Sequence, residues 1–172
     1  MMCHVLCDRG EEMSRTPWLN QHEELAWRGF RRMTAVLDAR VTRDLAADTG
    51  LSPADYEVLS NLSETPGHEW RLTKLAERML WSQSRLSHHL ERMQQRGLIQ
   101  RDPSDSDGRG AIVRLTKQGS TAIAAAAPKH VHSVRRSFID LLTPAELDTL
   151  AAITEKVVVH LTGADDRDHR RA

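Results

Sequence analysis

The fold is decided by residues 74–97, which read KLAERMLWSQSRLSHHLERMQQRG. In the second half of this stretch, Leu86, Leu90 and Met93 recur at i, i+4 and i+7, a spacing that places their side chains on one face of an α-helix. The other positions of that helix are mostly polar, so the pattern predicts one buried stripe and one exposed, hydrogen-bonding face. Gly97 is placed to end the helix, because glycine adopts a left-handed backbone conformation at little cost.

A shorter helix and a tight break come immediately before this polar-faced helix. The pattern predicts a helix from Lys74 to Met79, with Thr73 as its N-cap. The chain then breaks near Trp81, and Ser82 or Ser84 is placed to cap the second helix. Two helices joined by a tight break are typical of a helix-turn-helix, whose second helix has the right size to enter the major groove of DNA.

Two short strands are expected directly after Gly97. Leu98 to Arg101 and Ala111 to Leu115 are the predicted strands, and the polar residues 102–110 form the tip of the hairpin between them. A basic hairpin after a helix-turn-helix is typical of a winged module. We therefore expect a mainly α fold, a winged helix-turn-helix with a small two- or three-stranded β-wing.

Helices are also predicted before this module. Residues 19–48 form an amphipathic pattern, and Gly50 is placed to end the helix. Ser52 and Pro53 then provide an N-cap and a first-turn proline for a helix that runs to about Leu62.

Two further helices are predicted after the wing. Thr116 is placed to cap an alanine-rich helix, and Pro128 is expected to kink or break it before residues 131–142 resume the helix. The sequence Thr143-Pro144-Ala145-Glu146 is a capping box with proline at the first helical position, and it predicts the start of the last helix.

The outer helices have more apolar surface than a small winged module can cover. A second copy of the chain is the simplest cover, so we predict a homodimer formed by the helices at 18–48 and 117–161. The expected organisation is one domain at 18–162, with its winged core at about 52–116, a flexible tail at 1–17 and a disordered tail at 163–172.

Charge is distributed unevenly, although the formal net charge of the chain is +0. From Arg71 to Lys117 there are ten basic and five acidic residues, whereas neither flanking segment has a basic excess. A local basic excess around a helix-turn-helix indicates nucleic acid as the partner.

Several protein classes have no support in the sequence. We find no Gly-rich phosphate loop, nucleophile elbow or His-Glu-x-x-His pattern, so we expect no catalysis, no cofactor and no bound metal. Cys3 and Cys7 lack the second pair that a tetrahedral zinc site would need, and a redox role for them is a minor alternative. Without a signal peptide or a membrane-length apolar stretch, the chain is expected to be cytoplasmic.

One set of motifs extends from residue 71 to residue 119. It consists of Leu75-Ala76, Ser84-Arg85-Leu86-Ser87, Glu91-Arg92-Met93, Arg96-Gly97-Leu98-Ile99-Gln100-Arg101, Asp107-Gly108-Arg109 and Leu115-Thr116-Lys117-Gln118-Gly119. These motifs closely resemble the multiple-antibiotic-resistance regulator (MarR) family of winged helix-turn-helix transcription regulators. The resemblance implies a homodimer that binds pseudo-palindromic operators, usually as a repressor that a small aromatic or phenolic ligand releases.

Nine residues are the predicted contacts with double-stranded DNA: Ser82, Gln83, Ser84, Arg85, Ser87, His88, Arg92, Asp107 and Arg109. Ser84, Ser87 and His88 lie at i, i+3 and i+4, opposite the buried stripe. Arg85 and Arg92 flank this face and are better placed for phosphate groups than for bases. By resemblance, Arg109 would enter the minor groove, and Asp107 would hold an arginine in place.

Trp27, Tyr56 and His130 are candidates for an effector pocket that accepts a small aromatic or phenolic molecule. The alternative for Trp27 and Tyr56 is packing in the core or at a dimer interface, and the alternative for His130 is an ordinary, partly exposed position on a helix. The alternative function is a protein-interaction module that keeps the winged fold without binding DNA. Arg85, Arg92 and Arg109 argue against that alternative, because a protein adaptor would not need arginines on both the helix and the wing.

Overall fold

The structure is a computed structural model that describes residues 18–103 and 111–168, with side chains through residue 163. The chain divides into two compact units between Ala35 and Val36, and the first helix contributes residues to both. In these ranges the elements follow in the order α1 (Gln21–Thr49), α2 (Pro53–Glu64), β1 (Glu69–Arg71), α3 (Leu72–Arg78), α4 (Gln83–Gln95), β2 (Ile99–Pro103), β3 (Ala111–Leu115), α5 (Lys117–Ser137) and α6 (Pro144–Asp168).

The first unit contains the beginning of α1. Asn20 caps this helix: its Oδ1 accepts hydrogen bonds from the backbone N–H groups of His22 and Glu23. Trp27 and Phe30 stack with their ring centroids 6.1 Å apart, and both remain at least half exposed. Because α1 begins at Gln21, directly after the Asn20 cap, the predicted start at residue 19 is confirmed to within two residues.

The core of the second unit is built by α2, α3, α4 and the sheet. Leu86, Leu90 and Met93 of α4 are fully buried, as their spacing predicted. They pack in one cluster with Leu59 of α2 and Leu75 of α3, which are also fully buried. This cluster fixes which face of α4 points inward, and it therefore leaves the opposite face to solvent.

The sheet has three antiparallel strands in the order β1-β3-β2. Val113 at the centre of β3 lies opposite Trp70 of β1 and Arg101 of β2. The hairpin of β2 and β3 follows the predicted strands closely. The sequence pattern did not single out β1, because three residues are too few to show the alternation of a strand.

Side-chain caps define the helix starts in the winged core. Ser52 and Asp55 form a reciprocal capping box at the start of α2, with Pro53 at the first helical position. Ser82 accepts a hydrogen bond from the N–H of Arg85 and thus caps α4. Thr116 caps α5 by accepting from the N–H of Gly119. Ser52 and Thr116 were predicted as caps, and of the two predicted candidates for α4 the structure selects Ser82.

The cap predicted for α3 was wrong. This helix begins at Leu72. Arg71 occupies the N-cap position, and its side chain makes no capping hydrogen bond to the first turn of the helix. Leu72 is buried on the same side as Leu75 and Ala76, at i, i+3 and i+4. Because burial of Leu72 favours helix from that position, Thr73 lies inside the first turn and cannot serve as the cap.

The break predicted at Pro128 is also absent. Helix α5 continues through Pro128 to Ser137, and a short 3-10 turn from Ile139 to Leu141 follows it. Proline removes only one backbone hydrogen bond. Ala126 and Ser133 are buried on the two sides of Pro128, so packing holds both halves of the helix in place.

The joint between α4 and α5 is formed largely by backbone. Gly97 has φ +70°, the left-handed conformation expected after a helix. The Thr116 hydroxyl donates to the carbonyl oxygens of Gly97 and Leu98, at 2.7 and 3.0 Å. A Cβ atom on Gly119 would overlap the carbonyl oxygen of Leu98, so only glycine fits there. This contact explains the glycine of the Leu115–Gly119 motif.

Helix α6 begins at the predicted capping box, in which the backbone N–H of Thr143 donates to Glu146 and the N–H of Glu146 donates to the Thr143 hydroxyl. The helix extends to Asp168, beyond the predicted end near residue 162. Its apolar residues Ile153 and Val157 are at least half exposed. No helix among the described residues is long and apolar enough to cross a membrane.

Candidate nucleic-acid interface

The outer face of α4 is a continuous polar surface. Ser87 is partly exposed, and the other predicted contacts on or next to this helix are exposed: Ser82, Gln83, Ser84, Arg85, His88 and Arg92. Because the opposite face is fully buried, these side chains point away from the core. The structure therefore brings the predicted helix residues together on one face. Asp107 and Arg109, the predicted wing contacts, lie outside the described residues.

Arg85 lies at the N-terminal end of this surface. Its guanidinium carbon is 3.9 Å from the centroid of the Trp81 ring, which is the geometry of a cation–π contact. Trp81 itself is partly buried and packs against the core. The guanidinium thus lies over the indole, and the N–H groups that do not point at the ring can donate hydrogen bonds elsewhere.

Arg92 has a neighbour on its own helix. Its Nη2 atom is 3.1 Å from Nδ1 of His89, one turn earlier. His89 is buried, whereas the adjacent His88 is exposed, so the two histidines point in different directions. Arg92 therefore joins the exposed face to a buried polar cluster.

That cluster centres on Asp55 of α2, which is only 2% exposed. Its Oδ2 accepts hydrogen bonds from Nη1 of Arg96, at 2.8 Å, and from the backbone N–H of Ser52. Its Oδ1 lies 3.2 Å from Nε2 of His89. Burial alone would raise the pKa of Asp55, but the hydrogen bonds from Arg96 and Ser52 outweigh burial and lower this pKa below its usual value.

His89 responds to the same environment in a different way. Burial lowers its pKa, and the nearby carboxylate of Asp55 offsets only part of that effect. Neutral His89 can accept from Arg92 at Nδ1 while Nε2 keeps its proton toward Asp55. Sequence reasoning missed this cluster, because Asp55 and Arg96 are 41 positions apart. The local sequence around Asp55 indicates only a helix cap, and it gives no sign of the contacts with Arg96 and His89.

Ion pairs hold the base of the wing. Nε of Arg114, in the central strand β3, donates to Oε2 of Glu69 in β1 at 2.6 Å. Arg114 also donates through Nη1 to Asp102 in β2. One guanidinium therefore connects all three strands where the hairpin leaves the core.

Known proteins with similar sequences and folds indicate the family of this chain. The model of the MarR family matches residues 51–110. AbsC, a MarR family transcriptional regulator from Streptomyces coelicolor, is 40% identical, with 86% of this chain and 99% of AbsC covered and a TM-score of 0.81. This chain belongs to the MarR family.

Two further relatives of this MarR-family chain extend the comparison. Sco3205 from Streptomyces coelicolor, a MarR family transcriptional regulator solved in complex with DNA, is 34% identical over 84% of this chain and 91% of Sco3205, with a TM-score of 0.81. The transcriptional regulator HosA from Escherichia coli O157:H7 is 30% identical over 63% of this chain and 78% of HosA. The chain is a MarR-family transcription regulator with a winged helix-turn-helix.

The candidate effector residues of this MarR-family chain lie in two different units. Trp27 belongs to the first unit. In the second unit, Tyr56 of α2 and His130 of α5 are in contact, with ring centroids 4.4 Å apart. Burial raises the pKa of Tyr56 and lowers the pKa of His130. The Nδ1 atom of His130 is buried and has no hydrogen-bond partner among the described residues.

Proposed function

We propose that this chain represses transcription by binding a pseudo-palindromic DNA operator as a homodimer, in the cytoplasm and without catalysing a reaction. The observation that supports DNA binding most directly is the outer face of α4. This face is polar and exposed, its opposite face is fully buried, and Ser82 caps its N-terminal end. A helix with these features has the size and chemistry to read base edges in the major groove. Sco3205, whose fold this chain shares, was solved in complex with DNA.

The proposed roles follow from position on this surface. Ser84, Ser87 and His88 would contact base edges, because they share the outermost face. Arg85 and Arg92 would contact phosphate groups, which position a protein on DNA without specifying sequence. In the wing, Arg109 would enter the minor groove, with Asp107 as its support.

The exposed apolar residues of α6 support a homodimer. Val157, Val158 and Leu161 are at least half exposed, although each is a residue type that usually lies inside proteins. A contiguous apolar surface of this kind marks an interaction site, and a second copy of the same chain is the commonest partner. Sedimentation at micromolar concentration should give the mass of a dimer, and a monomer would contradict this part of the proposal.

DNA binding can be tested by fluorescence anisotropy with the DNA upstream of the protein's own gene. Affinity should decrease steeply as salt increases, because binding phosphate groups releases counterions. Arg109→Ala should weaken binding about tenfold or more. Arg135→Ala is the matched control, because it removes the same charge from an exposed position on α5. Binding that is absent on this fragment and on a random-sequence library would favour the protein-interaction module.

We also propose that a small aromatic or phenolic effector binds beside Tyr56 and His130. The buried Nδ1 of His130 has hydrogen-bonding capacity that a ligand hydroxyl could satisfy. Titration of the protein–DNA complex with salicylate, as a phenolic probe, should release the DNA. Tyr56→Phe and His130→Phe should require more salicylate for release, whereas His132→Phe, which alters an exposed histidine two positions along α5, should not. Equal release from all variants would contradict the assignment.

A further inference from the structure

Trp81 connects an exposed arginine to the buried interior of the winged core. One face of its indole ring lies under the Arg85 guanidinium, 3.9 Å from the guanidinium carbon. The ring also meets His89 edge-on, with centroids 5.8 Å apart and planes 77° apart. Trp81 is thus in contact with a surface group on one side and a buried group on the other.

The buried side of this arrangement is fixed. His89 is 8% exposed and lies between Arg92 on its own helix and Asp55 of α2. Asp55 is held in turn by Arg96 and by the backbone of Ser52. His89 and Asp55 each interact with an arginine, Arg92 and Arg96 respectively, so the buried side of the indole packs against a defined polar cluster.

The exposed side has the opposite character. An arginine at the surface has four rotatable side-chain bonds, and fixing them on binding costs free energy. Stacking on an indole restricts the guanidinium before any ligand arrives, while its N–H edge stays available. A pre-positioned edge at the N-terminal end of α4 is suited to a phosphate or base acceptor, because the helix dipole favours negative charge there.

We propose that Trp81 is a positioning residue for DNA recognition: its ring face holds the Arg85 guanidinium in its DNA-contacting orientation, while its ring packs edge-on against His89. This inference rests on the proposed DNA-binding function and names a residue outside the predicted contacts. Trp81 acts through Arg85 and does not itself touch DNA. Its effect on binding therefore depends on the presence of Arg85.

A double-mutant cycle tests this dependence. Affinity for the upstream DNA fragment is measured across a salt series for the wild type, Trp81→Leu, Arg85→Ala and the double variant. Arg85→Ala should weaken binding about tenfold and reduce the salt slope by about one. Trp81→Leu should weaken binding about fivefold, with the arginine charge still present. The double variant should bind DNA at most about twofold more weakly than Arg85→Ala, because Arg85→Ala has already removed the contact between Arg85 and Trp81.

Two conservative variants separate positioning from a purely structural role. Trp81→Phe keeps an aromatic face and should restore affinity to within about twofold of the wild type. Arg85→Lys keeps the charge, loses the planar stack and leaves the buried side intact, so it tests the stack even if Trp81→Leu does not fold. It should weaken binding about threefold.

The outcomes are distinguishable. If the wild type binds the fragment but Trp81→Leu weakens binding by the same factor with and without Arg85, the positioning role is overturned while the proposed function stands. The positioning role is likewise overturned if Arg85→Lys binds as tightly as the wild type. If the wild type shows no salt-dependent binding to DNA, the proposed function itself fails, and the positioning role fails with it.

Discussion

Helix α4 and the last helix α6 of the same chain differ in how far their apolar residues are buried. Leu90, at the centre of α4, is fully buried by residues of its own chain, whereas Ile153 and Val157 of α6 are at least half exposed. The apolar residues of the winged core are therefore buried by other residues of the same chain. No described part of the chain covers the apolar face of α6 in this way, and its packing is expected to come from a second copy. The difference separates the contacts that stabilise the winged core from those that the proposed homodimer would supply.

The largest effect expected from this contrast is on the core. Leu90→Ala should lower the free energy of unfolding by about 2–5 kcal/mol, because it leaves a cavity among fully buried side chains. Urea denaturation followed by circular dichroism at several protein concentrations measures this loss. The decrease should be the same at every concentration, since the cavity lies inside one protomer.

Ile153→Ala is the matched control on α6. It removes a similar amount of apolar surface from a position that is 55% exposed within the chain. We expect it to raise the dissociation constant of the dimer about tenfold, with a loss of stability that depends on protein concentration. A concentration-independent loss as large as that of Leu90→Ala would contradict the contrast between the two helices.

The next effect concerns the buried carboxylate that joins α2 to α4. Asp55→Asn should lower the free energy of unfolding by about 2 kcal/mol, because Arg96 and His89 would lose a charged partner. Thermal unfolding measures the change. Asp48→Asn serves as the control, because Asp48 is exposed at the end of α1 and its loss should change stability by less than about 0.5 kcal/mol. Equal effects of the two variants would show that the cluster contributes nothing specific.

The smallest predicted effect is a pH dependence from His89. Burial lowers its pKa in the folded protein, so the unfolded chain takes up a proton first as the pH falls below about 6.5. Stability should therefore be complete above that pH and should decrease below it, until the pH reaches the lowered pKa of the folded state. Burial lowers the pKa of His130 as well, which adds to the decrease in the same direction.

Variants assign this pH dependence to individual histidines. His89→Gln should remove part of the decrease measured between pH 7.5 and pH 5 in urea titrations. His88→Gln changes the exposed neighbour on the same helix and should leave the decrease unchanged. Asp55 affects stability in a different pH range. Because its pKa is lowered in the folded protein, its contribution to stability is lost only as the pH falls below about 3.9. A pH profile that is identical in wild type and His89→Gln would refute the assignment to His89.

Sequence reasoning was most successful where the determinants are local. The spacing of Leu86, Leu90 and Met93 identified the buried face of α4, and the predicted serine and threonine caps other than Thr73 lie where their short side chains reach the first turn of a helix. Such features depend on neighbours within four positions, so the sequence displays them directly. The exposed face of α4 followed from the same periodicity.

The errors and omissions concern contacts between distant residues. Burial of Leu72 moved the start of α3, and packing on both sides of Pro128 kept α5 continuous. The pairing of Asp55 with Arg96 and His89 depends on how α2 and α4 meet, which no local pattern encodes. The contact between Tyr56 and His130 was not predicted, because the two residues lie on helices that are distant in the sequence. The DNA-contacting roles stay predictions, including those of Asp107 and Arg109.

The glycine at position 119 has a mechanical consequence. Because the backbone of α5 at Gly119 lies against the carbonyl of Leu98, no side chain separates α5 from the residue that follows α4 at this point. The Thr116 hydroxyl and the side chain of Gln118 add hydrogen bonds to the same segment, at Gly97 and Arg96. A rotation of α5 would therefore displace the C-terminal end of α4 directly, whereas any side chain at position 119 would have to push the two backbones apart.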